Sequence, residues 1–297
     1  MAQTFERAKS RLNNIRAIEP LLGALRTLSM GTWQLALNKI AQMQQYEENY
    51  DHILLSILPK IEQRGLRNRR RSDRKVEIAD TILLIIGTER GLCGKFNKIL
   101  VQSAMEWISQ QSFPSHQVWA MGSRMIRELE RMGVHVSWRK PLPASELASY
   151  QGSYLTTQNW LEQFESYAFN RFIVLFNQSA KGGGYQFTKF TLLPYEIHHP
   201  ISVIDETVRH WPPPIIETDP RGIYHQIIEH YIASSFYQVL LKSAAAEHSS
   251  RYNLMQEAED NAEDIIDDLQ QTLNRERKRK ITQQMQELAS GAGLLDN

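Results

Sequence analysis

The chain has 297 residues, 42% hydrophobic and 23% charged, enough for one large domain or two ordinary ones with packed cores. Its 34 basic and 33 acidic side chains leave a net charge of +1, so bulk charge argues for neither nucleic acid nor a membrane surface as partner. The single cysteine, Cys93, excludes an internal disulfide and a four-cysteine zinc site, and the apolar run Ile82–Ile86 is far short of the roughly 20 residues that cross a bilayer.

From about Phe5 to Ile61 the chain reads as helix. Leu12, Ile15, Ile18, Leu22, Leu25 and Leu28 fall at steps of three and four and place one apolar stripe on one face. Pro20 removes a backbone donor and crowds the preceding turn, so a kink or break is expected there. RGLRNRRRSDRK, from Arg64 to Lys75, has no aromatic residue and reads as a solvated basic linker.

Strands and helices then alternate. Strands are expected at Val76–Gly87, Gln117–Met121, Val134–Trp138, Arg171–Phe176 and Gln186–Leu193, with helices at Lys95–Gln110, Ser123–Met132 and Ser145–Ala168. This alternation predicts an α/β layer with mostly parallel pairing, and the last two strands read as an appended hairpin.

Thr218-Asp219-Pro220 supplies an N-cap and a proline at the first helical position. No proline and one glycine, Gly222, interrupt Arg221–Ser290, and Gly291 then provides a stop. A continuous helix over that span is on the order of 105 Å long at about 1.5 Å per residue, too long to be buried in one compact domain. Ile223, Ile227, Ile265, Leu269, Leu273, Ile281, Met285 and Leu288 offer one side to a partner helix, and the N-terminal helix is the expected mate. The expected architecture is therefore α/β with long terminal helices. Residues 1–64 and 215–297 form an antiparallel two-helix coiled-coil shaft, which carries an α/β domain over 75–204.

The stretch TILLIIGTERGLCGKFN, Thr81 to Asn97, runs a strand into a glycine-bearing turn and a helix, the layout of a phosphate-binding loop. The residues argue against that chemistry. Phe96 stands where a P-loop needs a hydroxyl for magnesium, Glu89 places a carboxylate where phosphates would sit, and only Gly91 and Gly94 fall in phase with a dinucleotide fingerprint. His198-His199 and the pair His225/His230 lack the spacing of helical metal ligands. Cys93 lies beside Arg90 and Lys95, where a thiolate is favoured, but no nearby histidine offers a base. No catalytic, cofactor or metal site is read in the chain.

Two segments carry a resemblance. GTERGLCGKFN after an apolar strand resembles the S-T-D-R-G-L-C/A-G-x-x-N turn of the gamma subunit of F-type ATP synthases, with Glu89, Arg90, Gly91, Leu92, Gly94 and Asn97 on its motif positions. The stretch from Glu247 to Gly293 looks like the same family's E-x-x-S/A-R-M…R-Q-A-x-I-T-x-E-L-x-E-I-V-x-G-A ending, and IETDPRG and FIVLFN fall where similar segments fall. The resemblance covers essentially the whole chain. It implies a Rossmann-like α/β domain on a coiled-coil shaft and a non-catalytic rotor that binds no cofactor. In such a complex the shaft turns inside a ring of alpha and beta subunits, with the epsilon subunit and the c-ring near the α/β domain. It also implies a peripheral place on the cytoplasmic face of a bacterial inner membrane, or on a thylakoid membrane, reached through the complex alone. The family's Arg-Gln pair and threonine map onto Arg277, Lys278 and Thr282; with Arg275, Met285 and Leu288 these are the expected contacts to the catalytic ring.

The chain also departs from the pattern. Thr32 stands where the N-terminal motif has a basic residue, Gln256 and Glu259 replace a basic residue and a threonine, and Lys278-Arg279 replace Gln-Ala. These departures suggest a divergent member. A gamma-like scaffold or regulator in another assembly is the alternative.

Overall fold

A computed structural model describes residues 2–62, 80–111, 113–166, 168–180, 184–194 and 219–291. The basic run from Arg64 to Lys75, the residues 76–79 expected to begin the first strand, the pair His198-His199 and the last residues, 292–297, lie outside them. The elements are α1 (Ala2–Glu62), β1 (Thr81–Ile86), α2 (Phe96–Gln110), β2 (His116–Met121), α3 (Ser123–Arg131), β3 (Val136–Lys140), α4 (Tyr150–Glu165), β4 (Arg171–Ser179), β5 (Tyr185–Leu193) and α5 (Pro220–Gly291). The chain has long terminal helices around a central, mostly parallel sheet. It divides into two compact units, Met1–Met30 with Arg251–Asn297, and Gly31–Ser250.

In the larger unit the strand order is β3-β2-β1-β4-β5. The first four strands are parallel and β5 returns antiparallel to β4, as a hairpin does. Every residue of β1 is buried, because an interior parallel strand has helices over both faces. Alternate residues divide the core. Ile82, Leu84 and Ile86 face one side with Trp119, Phe172 and Phe176, covered by Trp160 of α4 and by Ile228, Ile232, Phe236 and Leu240 of α5. Leu83 and Ile85 face the other side with Val118, Ala120, Ile173 and Leu175, covered by α2 and α3 through Leu100, Val101, Met125 and Leu129. From Tyr231 to Leu241, α5 is buried all round, its polar Ser234, Ser235 and Gln238 included.

Helix α4 begins at Tyr150, five residues later than expected. Ser149 is extended and its Oγ accepts the Gly152 N–H at 3.1 Å, so the capping hydroxyl fixes the start.

The smaller unit pairs the ends of α1 and α5. Leu12 is buried with Ile266 and Leu269, flanked by Ala8, Ile15, Ile265 and Leu273. Farther along α1, Arg26 Nε lies 3.1 Å from Glu259 Oε2. As α1 numbers rise, the α5 partners fall, so the pairing is antiparallel. A Cβ added to Gly23 would stand 3.1 Å from Glu259 Oε1, so the missing side chain makes room for the carboxylate.

Two expectations about α1 need correction. The helix continues through Pro20 without a break. Pro20 is exposed, so the missing hydrogen bond lies on the outer face, while Leu12 and Ile15 hold the inner face on α5. The apolar residues also do not form one stripe: Leu12 and Ile15 face α5, whereas Ile18 and Leu28 are 50% and 69% exposed.

Trp160 is nearly fully buried and touches Trp119, Trp138, Phe172 and Phe236. Trp160→Ala is expected to destabilise the larger unit by about 3–5 kcal/mol, read as a lower denaturant midpoint by tryptophan fluorescence and far-UV circular dichroism.

Candidate functional site

The turn after β1 is built by close approach. At Gly87 a Cβ would meet Asn97 Oδ1 at 2.6 Å and the Met125 side chain closer still. Gly122 has φ +98°, and its Cβ would stand 2.7 Å from the Thr88 carbonyl. These glycines let β1, β2 and the start of α3 converge. Asn97 closes the turn from within α2: its Oδ1 accepts the Thr88 N–H at 3.1 Å and its Nδ2 donates to Thr88 Oγ1 at 2.8 Å. Leu92 and Gly94 take left-handed conformations, φ 64° and 58°. Glycine accepts that region readily, whereas a leucine there is strained, and the Leu92 side chain is 58% exposed.

Glu89 answers the question of phosphate binding. Its Oε2 accepts the Ser123 N–H at 2.8 Å and the Leu142 N–H at 2.9 Å, and its Oε1 accepts the Ser123 hydroxyl at 2.6 Å. Ser123 is the first residue of α3, so the carboxylate occupies the anion position that a helix N-terminus offers. The chain supplies its own anion. Burial pushes the Glu89 carboxyl upward, but the Ser123 and Leu142 hydrogen bonds and the Arg127 charge outweigh it and leave it below its ordinary value. Beside it, Arg90 Nη2 donates to Ser145 Oγ at 3.1 Å. Glu89 and Arg90 thus both reach the segment 141–149.

Cys93 is enclosed in the core, although charged residues flank it in sequence. It is buried with Phe96, Ala246 and Tyr185, and its Sγ lies 3.7 Å from Thr88 Oγ1. Among the described residues, no group of three or more His, Cys, Asp or Glu side chains could hold a metal ion. His225 Nδ1 lies 4.0 Å from Glu165 Oε1, and His230 Nδ1 shares a 2.9 Å hydrogen bond with the Tyr150 hydroxyl.

The residues expected to meet a ring lie in the other compact unit, on α5. Arg275, Arg277, Lys278, Arg279 and Lys280 are exposed. Thr282 is exposed as well, with its hydroxyl donating back to the Lys278 carbonyl at 3.0 Å. Ile281, Met285 and Leu288 follow at i, i+4 and i+7, so they share one face, and Met285 and Leu288 are 67% and 73% exposed. Exposed Ile18 and Leu21 on α1 were not read as a surface. Their three-residue step continues the pattern of the buried Leu12 and the half-buried Ile15, and nothing in that spacing says where α5 stops covering it. No described helix is long and apolar enough to cross a membrane.

The depressed Glu89 carboxyl fixes a pH dependence. Its stabilising contribution is complete above the ordinary carboxylate range of about 4 and is lost as pH falls through its lower folded value. The stability gap between the natural chain and Glu89→Gln is therefore expected to be constant near neutrality and to close in acid, measured by urea melts across pH.

Known proteins place this arrangement. A family model described as ATP synthase matches residues 4–295. The chain is similar to the ATP synthase gamma chain of Fusobacterium nucleatum subsp. nucleatum, 23% identical over 288 residues that cover 97% of this chain and 98% of that one. Its fold is similar to that of a chain in the cryo-EM structure of the Euglena gracilis mitochondrial ATP synthase, OSCP/F1/c-ring in rotational state 3. That likeness has a TM-score of 0.50 at 14% identity and covers 89% of this chain and 95% of the other. A chain in the central stalk and c-ring of the Tetrahymena thermophila mitochondrial ATP synthase is also similar, with a TM-score of 0.48 at 18% identity over 77% of this chain and 98% of the other. The family match spans α1 to the end of α5, and the chain belongs to the ATP synthase family as a gamma subunit.

Proposed function

We propose that the chain is the non-catalytic rotor of its ATP synthase. The paired ends of α1 and α5 stand inside a ring of alpha and beta subunits, and the α/β unit lies towards the epsilon subunit and the c-ring. Ion flow through the c-ring turns the chain, and the turning biases each catalytic site in sequence towards synthesis, or towards hydrolysis in reverse. Only a surface that differs around its circumference can do this, because a ligand shifts an equilibrium through differential contact alone. The protein is then peripheral, held at the membrane by its partners.

The observation that carries this reading is the exposed face near the end of α5. Ile281, Met285 and Leu288 form an apolar row that begins directly after five exposed basic residues. A helix keeps an exposed apolar row beside concentrated charge when a partner covers it, and the α/β unit needs neither feature for its own core. The basic cluster suits acidic loops on the ring, and Met285 suits a surface that must slide, because its side chain is unbranched and adaptable.

The test is reassembly with alpha, beta, epsilon and c subunits from mild-detergent extract. Reversal of Arg277 and Lys278 to glutamate is expected to weaken assembly with the ring by about tenfold, roughly 1.4 kcal/mol, with the defect sensitive to salt. Unchanged assembly and coupling would leave the cluster as a solvated face. Truncation after Gln283 removes Met285 and Leu288; it is expected to uncouple ATP hydrolysis from ion transport while the α/β unit melts as before.

A further inference from the structure

We propose that residues 141–149 are a strap that couples the Thr88–Asn97 turn to helix α5, with Glu89 and Arg90 holding one end and the Tyr150–His230 contact latching the other. This inference rests on the fold and does not depend on the rotor reading.

The strap has no regular structure of its own. At its start Leu142 donates its N–H to Glu89, and near its middle Ser145 accepts from Arg90. Leu142 and Ala148 pack against the core, and Ser149 ends the strap by capping α4. The next residue, Tyr150, begins a polar aromatic contact that differs from the apolar seat of Trp160 one helix-half later.

Tyr150, Tyr154 and Gln158 stand at i, i+4 and i+8, on one face of α4. The Tyr150 hydroxyl shares its hydrogen bond with His230, and its ring meets Tyr237 edge-on at 5.9 Å. The Tyr154 ring stacks on His230 at 4.9 Å, and its hydroxyl donates to Glu229 Oε2 at 3.2 Å while accepting from Gln158 Nε2 at 2.9 Å. Burial, with a further contribution from Tyr50 of α1, pushes the Tyr150 hydroxyl upward, so it stays neutral.

The first half of α4 is thus held on α5 by directional bonds, which fail once α4 rotates or withdraws, whereas apolar packing tolerates small slides. The strap leads directly into that first turn, and Glu89 and Arg90 hold the strap by hydrogen bonds at Leu142 and Ser145. A disturbance at the exposed, left-handed Leu92 has a short route through Glu89 and Arg90 to the Tyr150 latch. Coupling of this kind is demonstrated by non-additivity, not by proximity.

The experiment is hydrogen exchange by mass spectrometry on the full chain, read at the amides of the first turns of α4. Glu89→Gln and Tyr150→Phe are each expected to speed that exchange by roughly tenfold, and the double variant by no more than the larger single effect. Should Glu89→Gln fold poorly, Arg90→Ala and Ser145→Ala remove only an exposed bond and are expected to give a smaller rise at the same amides. Arg131→Ala removes an ion pair with Glu128 at the far end of α3 and is expected to leave α4 unchanged. The strap is refuted by faster exchange confined to Ser123 and Leu142, by multiplicative effects in the double variant, or by an equal rise with Arg131→Ala.

Discussion

Strand β1 lies between two parallel neighbours with both faces covered, so the first residues that leave it, Gly87 and Thr88, lie where water scarcely reaches. Backbone donors there need partners from the chain itself. Thr88 finds Asn97, Ser123 and Leu142 find Glu89, and Gly87 donates to the Met121 carbonyl at 3.1 Å. The requirement is severe because β1, β2 and α3 converge closely enough to exclude a Cβ at Gly87 and Gly122. A carboxylate with two acceptor oxygens meets three donors in that space, which no single neutral side chain could do as well.

The second organising element is α5. Between Tyr231 and Leu241 it is part of the core, and beyond Arg251 it is the partner of α1. Its composition changes to match. Small and aromatic residues, Ala233, Ser234, Ser235, Phe236 and Tyr237, fill the enclosed stretch, while Glu257, Asp260, Glu263, Asp264, Asp267 and Asp268 give an exposed acidic face before the basic cluster begins. The enclosed stretch has a cost: Ser234 Oγ and Gln238 Nε2 are buried without a partner among the described residues. The helix is therefore most constrained where the α/β unit closes on it.

Much of this was legible in the sequence because apolar runs and breaks are local. The five strands and the helices between them followed from alternation, and α5 followed from a long span without proline. The failure of the phosphate-loop reading was also local, since Phe96 and Glu89 stand inside the motif. The structural role of Glu89 was not local: its donors lie 34 and 53 residues away, and no spacing connects them. Pro20 misled because its penalty falls on an exposed face, and the α1 stripe misled because periodicity shows which residues share a face but not how much of that face a partner covers. Arg277 and Thr282 are singled out by the resemblance alone; the structure adds that both are exposed. Tyr150 and His230 could not be paired from sequence, because 80 residues separate them and neither sits in a recognisable motif.

The contact among Gly23, Arg26 and Glu259 has a consequence for descent. Glu259 is one of the departures from the family pattern, and its carboxylate lies close over the bare Gly23 and beside the Arg26 cation. A lineage that exchanged the carboxylate for a small hydroxyl would release the other two positions together, leaving Gly23 free to acquire a methyl group and Arg26 free to change sign. These three sites, split between the two ends of the gene, are expected to be inherited as one character.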